Sequence, residues 1–354
     1  MRIFISLLFF LTVFTGWAQD STKRWSLYPL PVVFKSPETD FGFGLGGFAA
    51  YSYKNQAENL KDSQFSFGGA YTLNNQVLFY SNFNIYSPDG KWQTLGEAGY
   101  YKYFFYYWGI GPNTTESMRE RYDVNFIRIK TDLLRRVNEN VWAGLRFWSE
   151  PYDVFNLEAG GLLETSAPGG NGGRSNGLGL AFQYDSRDIV FFPKEGWLLD
   201  ASIQQFGGFI GSDFNFTKLY FDLSKYLAIG EKSVLALNLY QEYSFGNVPF
   251  SQMALIGGSR KLRGYYKGRY RDHQMLEFQA EYRLPTFWRF GMSVFAGLGQ
   301  VWGPEHNLSA QNLKWNLGIG GRFLLDKKKK INARGDLGFG ERAMGTYITV
   351  GEAF

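Results

Sequence analysis

Large apolar residues recur at every second position in many short runs of this chain. Between Ser63 and Asn74, Phe65, Phe67, Tyr71 and Leu73 alternate with Gln64, Ser66, Gly68, Ala70 and Thr72. Between Gly177 and Asp188, Leu178, Leu180, Phe182 and Tyr184 oppose Gln183, Asp185 and Arg187. Trp315, Leu317, Ile319 and Phe323 likewise oppose Lys314, Asn316 and Arg322, and Ile331, Ala333, Leu337 and Phe339 oppose Asn332, Arg334 and Asp336. A period of two is the mark of a β-strand with chemically different faces. The pattern predicts strands near 41–53, 63–74, 76–87, 92–105, 122–135, 140–149, 177–188, 196–207, 213–227, 232–245, 274–284, 290–302, 313–325, 331–341 and 345–354. Bacterial single-chain barrels use even strand numbers. Arg24 to Lys35 supplies a sixteenth, made edge-like by Pro29 and Pro31. Alternation falters at Arg128 and Lys130, which predicts a bulge or a misplaced strand there.

The apolar face recurs on nearly every strand with no helix to cover it, and the other face carries charges of both signs. That combination favours lipid outside and a wet lumen within over a soluble sandwich. A closed barrel also satisfies every backbone donor and acceptor, as lipid requires. The expected fold is therefore an all-β, transmembrane antiparallel barrel of 16 strands occupying 19–354, with one long loop folded into the lumen. Short turns at Asn138-Glu139-Asn140, Pro193 to Gly196, Gly230-Glu231 and Asp326 to Lys330 would be periplasmic. Connections 150–176, 246–273 and 303–312 would be extracellular or folded inward. Pro168 to Gly173 reads as a flexible loop tip; a phosphate-binding loop needs a following helix and a Lys-Ser/Thr pair that are missing.

Composition agrees. Aromatics are 19% of residues and Gly is 43 of 354, as interfacial girdles and a crowded lumen demand. Mean hydropathy is only −0.25, because just half of each strand meets lipid. Arg2, the apolar run Ile3 to Phe14 and Gly16-Trp17-Ala18 read as a signal peptide over 1–18, cleaved after Ala18. That run is too short for a spanning helix of roughly 20 residues. The chain has no cysteine and two histidines, so no cofactor or metal site is implied. Its net charge of +5 is spread along the chain and does not indicate nucleic acid. Lys327 to Lys330 reads as a solvated turn.

One connection stands apart. About 27 residues separate the strands ending near Gly246 and starting near Gln274, and they hold Gly257-Gly258-Ser259-Arg260-Lys261-Leu262-Arg263-Gly264-Tyr265. Loops this long are usually functional. Leu262, Arg263, Gly264 and Tyr265 after a glycine pair resemble the signature loop of the BamA/TamA superfamily, the bacterial surface antigen family. Asp185, Arg187 and Asp188, followed by Pro193 and Gly196, resemble its mid-barrel strand and turn. Glu281-x-Arg283-x-Pro285 looks like the strand after the signature loop. Ser36-Pro37-Glu38-Thr39 is similar to the barrel start, and Phe354 to its C-terminal recognition residue. Five strands follow the signature loop, as in a sixteen-strand member.

The resemblance implies that the loop folds inward and that acidic wall residues hold its arginine. Alternation turns Glu277, Gln279, Glu281 and Arg283 inward, so Glu281 is the first candidate partner of Arg263 and Glu277 the second. The family's next strand carries Phe-x-Asp-x-Gly, whereas here Phe295-Ala296-Gly297-Leu298-Gly299 places Gly297 at the acid. That shifts the load to Glu281, Glu277 or Asp336. Glu352 stands where the recognition strand usually has an apolar residue. No POTRA repeats are recognisable.

By resemblance the chain is an outer-membrane barrel, not an enzyme, for insertion, assembly or translocation of proteins, or of lipids. Its partners would be outer-membrane lipids, unfolded or exported polypeptides and a separate periplasmic protein. The alternatives are a passive pore or a membrane anchor. A surface barrel enzyme is a third reading, resting on His273, His306 and Ser309, but no Gly-x-Ser-x-Gly is present.

Overall fold

The structure is a computed structural model that describes residues 25–53, 62–190, 192–326 and 330–354. The expected signal peptide, and most of the lysine run, lie outside the described residues.

Sixteen antiparallel strands close into one barrel. They are β1 (Trp25–Ser36), β2 (Asp40–Tyr51), β3 (Ser63–Thr72), β4 (Val77–Tyr86), β5 (Trp92–Tyr107), β6 (Glu120–Arg136), β7 (Val141–Phe155), β8 (Gly172–Asp185), β9 (Gly196–Phe206), β10 (Phe216–Ile229), β11 (Ser233–Gly246), β14 (Gln274–Arg283), β15 (Phe290–Trp302), β16 (Lys314–Asp326), β17 (Ile331–Gly340) and β18 (Ala343–Val350). Two short strands, β12 (Ala254–Ile256) and β13 (Tyr270–Asp272), pair with each other inside the β11–β14 loop. The predicted number, order and pairing of the wall strands all hold.

Outward positions stay bare, as lipid-facing residues do: Leu45 is 77% exposed, Leu180 61% and Leu317 51%. Inward positions are buried even when charged. On β14, Glu277, Gln279, Glu281 and Arg283 are all buried, while outward Phe278 is exposed.

Two local expectations fail. β6 has no bulge: it keeps one register against β5 from Trp92↔Arg135 to Tyr107↔Glu120. Arg128 and Lys130 point inward in step with Tyr122, Val124 and Phe126. What changes along the strand is the chemistry of the lumen, apolar at one end and ionic further on. The apolar end is filled by a cluster that includes Tyr107, Tyr122, Val124, Val154, Leu163 and Phe250. That packing carries β5 and β7 beyond their expected limits. Pro168 to Gly173 is not a loose tip. Phe250 donates its N–H to the Pro168 carbonyl at 2.8 Å, and Gly172 and Gly173 already pair with Asp153 and Tyr152 in β8.

Closure is uneven. β1 pairs with β2 along its whole length, from Trp25↔Tyr51 to Ser36↔Asp40. Against β18, among the described residues, it registers at one position, Lys35 opposite Ile348. Proline lacks the N–H a ladder needs, and β1 holds two.

Candidate functional site: the inner loop and its ionic floor

The β11–β14 loop turns into the barrel and docks on the inner wall. Its apolar side chains make the first contact: Ile256, Leu262 and Tyr265 pack with Tyr240, Met275 and Val301 of the wall. Leu262 adopts a positive φ of 33° and donates its N–H to the Glu277 carboxylate at 2.8 Å. The chain then turns at Gly264, whose φ is +125°. A Cβ there would lie 3.0 Å from the backbone of Gly338 and Phe339 on β17. Gly338 is the reciprocal close approach, since a Cβ on it would sit 2.4 Å from the Arg263 carbonyl oxygen. Two glycines therefore let loop and wall meet backbone to backbone.

This places the Arg263 side chain, 0% exposed, on a ring of charge. Its Nη2 donates to Glu281 at 2.8 Å and its Nη1 to Asp336 at 2.5 Å. The guanidinium lies 3.5 Å from the centroid of the Phe295 ring, an added attraction for a desolvated cation. A buried charge needs this much partnership, because leaving one unpaired costs about 3–5 kcal/mol. The strand that lacks the family acid supplies the ring instead. Opposite Gly297, Asn316 of β16 occupies the space and donates to the Arg263 carbonyl at 2.8 Å.

The partners extend further. Arg322 donates to Asp336 at 2.7 Å and to Glu281 at 3.1 Å, and Arg283 donates to Glu281 at 2.9 Å. Glu352 accepts from Arg322 at 3.0 Å and from Asn332 at 2.9 Å. After β18, Gly351 (φ +89°) turns the chain inward, which is how Glu352 reaches the lumen. Phe354 is therefore not on the last strand. It packs against Tyr226, Val234 and Ala236, and its carbonyl accepts from Arg283 at 2.9 Å.

Tyr265 bridges β16 and the β17–β18 turn: its hydroxyl donates to the Trp315 carbonyl at 2.9 Å and accepts from the Glu341 N–H at 2.8 Å. Asp185 and Arg187 form a bidentate pair with both contacts at 2.9 Å, and Asp188 accepts from the N–H of Lys194 at 2.9 Å. These contacts clasp the β8–β9 turn.

The loop touches both sides of the poorly paired seam. On β18, the Tyr347 hydroxyl accepts from the Gly264 N–H at 2.9 Å and donates to the Tyr265 carbonyl at 3.1 Å. From the β1–β2 turn, buried Glu38 accepts the Lys267 N–H at 2.6 Å. The sequence marks Glu38 only as part of a start motif and places Asn316 and Arg322 on a polar strand face without making them partners of the loop; Tyr347 is not marked. The inward period of two was the available signal for all but Glu38.

At the other end of the loop, buried Asp272 accepts from or pairs with both histidine rings, His306 Nδ1 at 2.8 Å and His273 Nδ1 at 3.2 Å. The Ser309 hydroxyl accepts from the Gln311 N–H. Among the described residues no hydrogen bond joins it to either imidazole.

A closed sixteen-strand antiparallel wall, lipid-facing outside and ionic within, defines an outer-membrane β-barrel. The Omp85 superfamily domain matches residues 62–324, and the chain belongs to that superfamily. No curated protein matches the sequence. Among solved structures, BamA from Haemophilus ducreyi lacking POTRA domains 1–3 is 14% identical with a TM-score of 0.61, over 93% of this chain and 70% of that one. CdiB from Acinetobacter baumannii is 14% identical with a TM-score of 0.59, over 93% of this chain and 60% of that one. CdiB from Escherichia coli is 10% identical with a TM-score of 0.58, over 94% and 64%. The chain thus spans less than two thirds of either CdiB. At these identities the likeness is one of fold.

Proposed function

We propose that this barrel inserts or translocates polypeptides at the outer membrane, with the β1–β18 seam as the working edge and the inner loop as the staple that governs it. The observation that carries the reading is the loop's double attachment, to Tyr347 on one side of the seam and to Glu38 on the other. A strand edge with unmade backbone hydrogen bonds is a template for an incoming strand. Here the side chains hold that edge closed more than the ladder does. Arg263 sets the loop's depth, so its ion pairs with Glu281 and Asp336 couple lumen chemistry to the seam. Clients would be unfolded or exported chains, with a separate periplasmic partner delivering them. The residues expected to work in this way are Leu262, Arg263, Gly264 and Tyr265 with Glu277, Glu281 and Asp336.

The test is folding of an added unfolded outer-membrane barrel into liposomes that hold the purified protein. Wild type accelerates it and Arg263→Ala does not, at equal amounts of folded protein. No acceleration by wild type would reject autonomous insertion. Equal acceleration by both would remove the loop arginine from the mechanism.

A further inference from the structure

Beside the docked loop lies a cavity of about 390 Å³ inside the barrel, within the size range of small-molecule sites. Most of its charges are spoken for. Arg128 pairs with Glu150 at 2.5 Å, Arg146 with Asp132 at 2.6 Å, and Lys218 with Glu242 at 2.8 Å. Four cations are not: Lys130, Arg260, Lys261 and Lys267 line the cavity with no carboxylate within 4.0 Å among the described residues. The one lining acid outside an ion pair, Asp222, is occupied by hydrogen bonds from Asn238 at 2.6 Å and Tyr220 at 3.1 Å.

Two of these cations, Lys130 and Lys261, lie on an aromatic shelf. Lys130 sits 5.0 Å from the Trp148 ring centroid and 5.2 Å from that of Tyr220. Lys261 sits 3.3 Å over Tyr240, whose ring is 5.4 Å from that of Tyr220. Ring faces attract ammonium groups but do not neutralise them. The Arg260 Nε is committed to the Ala353 carbonyl at 2.9 Å. Buried Gln204, also on the lining, has an Nε2 donor with no acceptor. Free donors and cations without a direct carboxylate contact, gathered on the wall of one half-open cavity, are a site for an anion.

We propose that this chamber binds a small ligand through a phosphate or pyrophosphate group, with Lys130 and Lys261 as its main charge partners and Lys267 and Gln204 as further donors. A group of two or more negative charges matches clustered ammonium groups better than a lone carboxylate. Enclosure already holds the Lys261 ammonium below the ordinary lysine value, against the attraction of Glu242 and Glu277; a bound anion would reverse that. The site shares no ion pair with the Arg263 ring, so it stands or falls apart from the insertion reading.

The experiment titrates inorganic pyrophosphate into the full-length barrel in a neutral detergent and follows heat. Wild type binds one equivalent. Lys130→Gln with Lys261→Gln weakens binding at least tenfold, whereas Lys225→Gln, which removes an outward-facing lysine, leaves it unchanged. Lys261→Arg keeps most of the affinity and guards against loss through misfolding. A second arm repeats the titration in zwitterionic vesicles with and without a phosphorylated glycolipid. If the dopant abolishes the pyrophosphate heat, the phosphate comes from lipid; if not, from a soluble solute. No heat with wild type, or equal weakening by Lys225→Gln, would overturn the proposal.

Discussion

The two sides of this barrel are held together differently. On the β5–β6 side, backbone pairing runs unbroken from Trp92↔Arg135 to Tyr107↔Glu120. On the β18–β1 side it comes down to Lys35↔Ile348, and the two sides are joined through the wall side chains Tyr347 and Glu38, which hold the backbone of the inserted loop. Backbone ladders are insensitive to sequence and dissolve only with the fold. Side-chain staples depend on a few named groups, and each can be released singly. The comparison teaches that local stability in one closed sheet is set by which kind of bond closes it.

The strongest way to break that difference is to make the seam covalent. Lys35→Cys with Ile348→Cys puts the only two cysteines directly opposite each other, within disulfide reach. Oxidation is expected to abolish acceleration of client folding, and reductant to restore it. Ala98→Cys with Ile129→Cys, paired on the β5–β6 side, should leave activity unchanged in both states. Retained activity in the locked seam would move the working edge elsewhere.

A smaller effect separates the members of the ionic ring. Glu281 is held by Arg263, Arg283 and Arg322, so Glu281→Ala leaves buried cations in excess and should cost about 3–5 kcal/mol. Arg263→Ala should cost less, because Glu281 and Asp336 keep Arg322. Urea unfolding in vesicles followed by tryptophan fluorescence gives the order; the reverse order would mean Arg263 alone carries the ring. The smallest change is steric. Gly338→Ala should cost about 1–3 kcal/mol as an overpacked contact and lift the loop, making Arg260 and Lys261 more open to trypsin in intact barrels. Unchanged proteolysis would show that the backbone contact does not set the docking depth.

Much of this was legible from spacing. The wall strands and the inward set of β14 follow from a period of two, so Glu277 and Glu281 were within reach before any coordinates. The missing acid at Gly297 left Glu281, Glu277 and Asp336 as candidates, and Arg263 lies against Glu281 and Asp336. What spacing did not reveal depends on where the loop goes. Arg128 and Lys130 looked irregular because the lumen behind β6 changes from an apolar packing site to an ionic cavity, and no local pattern encodes that change. Glu352 read as an interfacial oddity on a strand. A single positive-φ glycine, Gly351, instead sends it inward to Arg322. Tyr347 looked like any inward aromatic, since its partner Gly264 lies 83 residues away in sequence.

The shortness of β18 also bears on the surrounding bilayer. Its 8 residues, at a rise of about 3.4 Å each, measure about 27 Å along the strand. A tilt of about 40° leaves about 20 Å along the membrane normal, against an apolar band about 25 Å tall. β6, with 17 residues, has no such deficit. Lipid beside the seam must thin to match the shorter wall, at a modest cost per ångström. On the proposed reading, such thinning would ease the entry of a strand at the same edge where the barrel's own backbone is least paired.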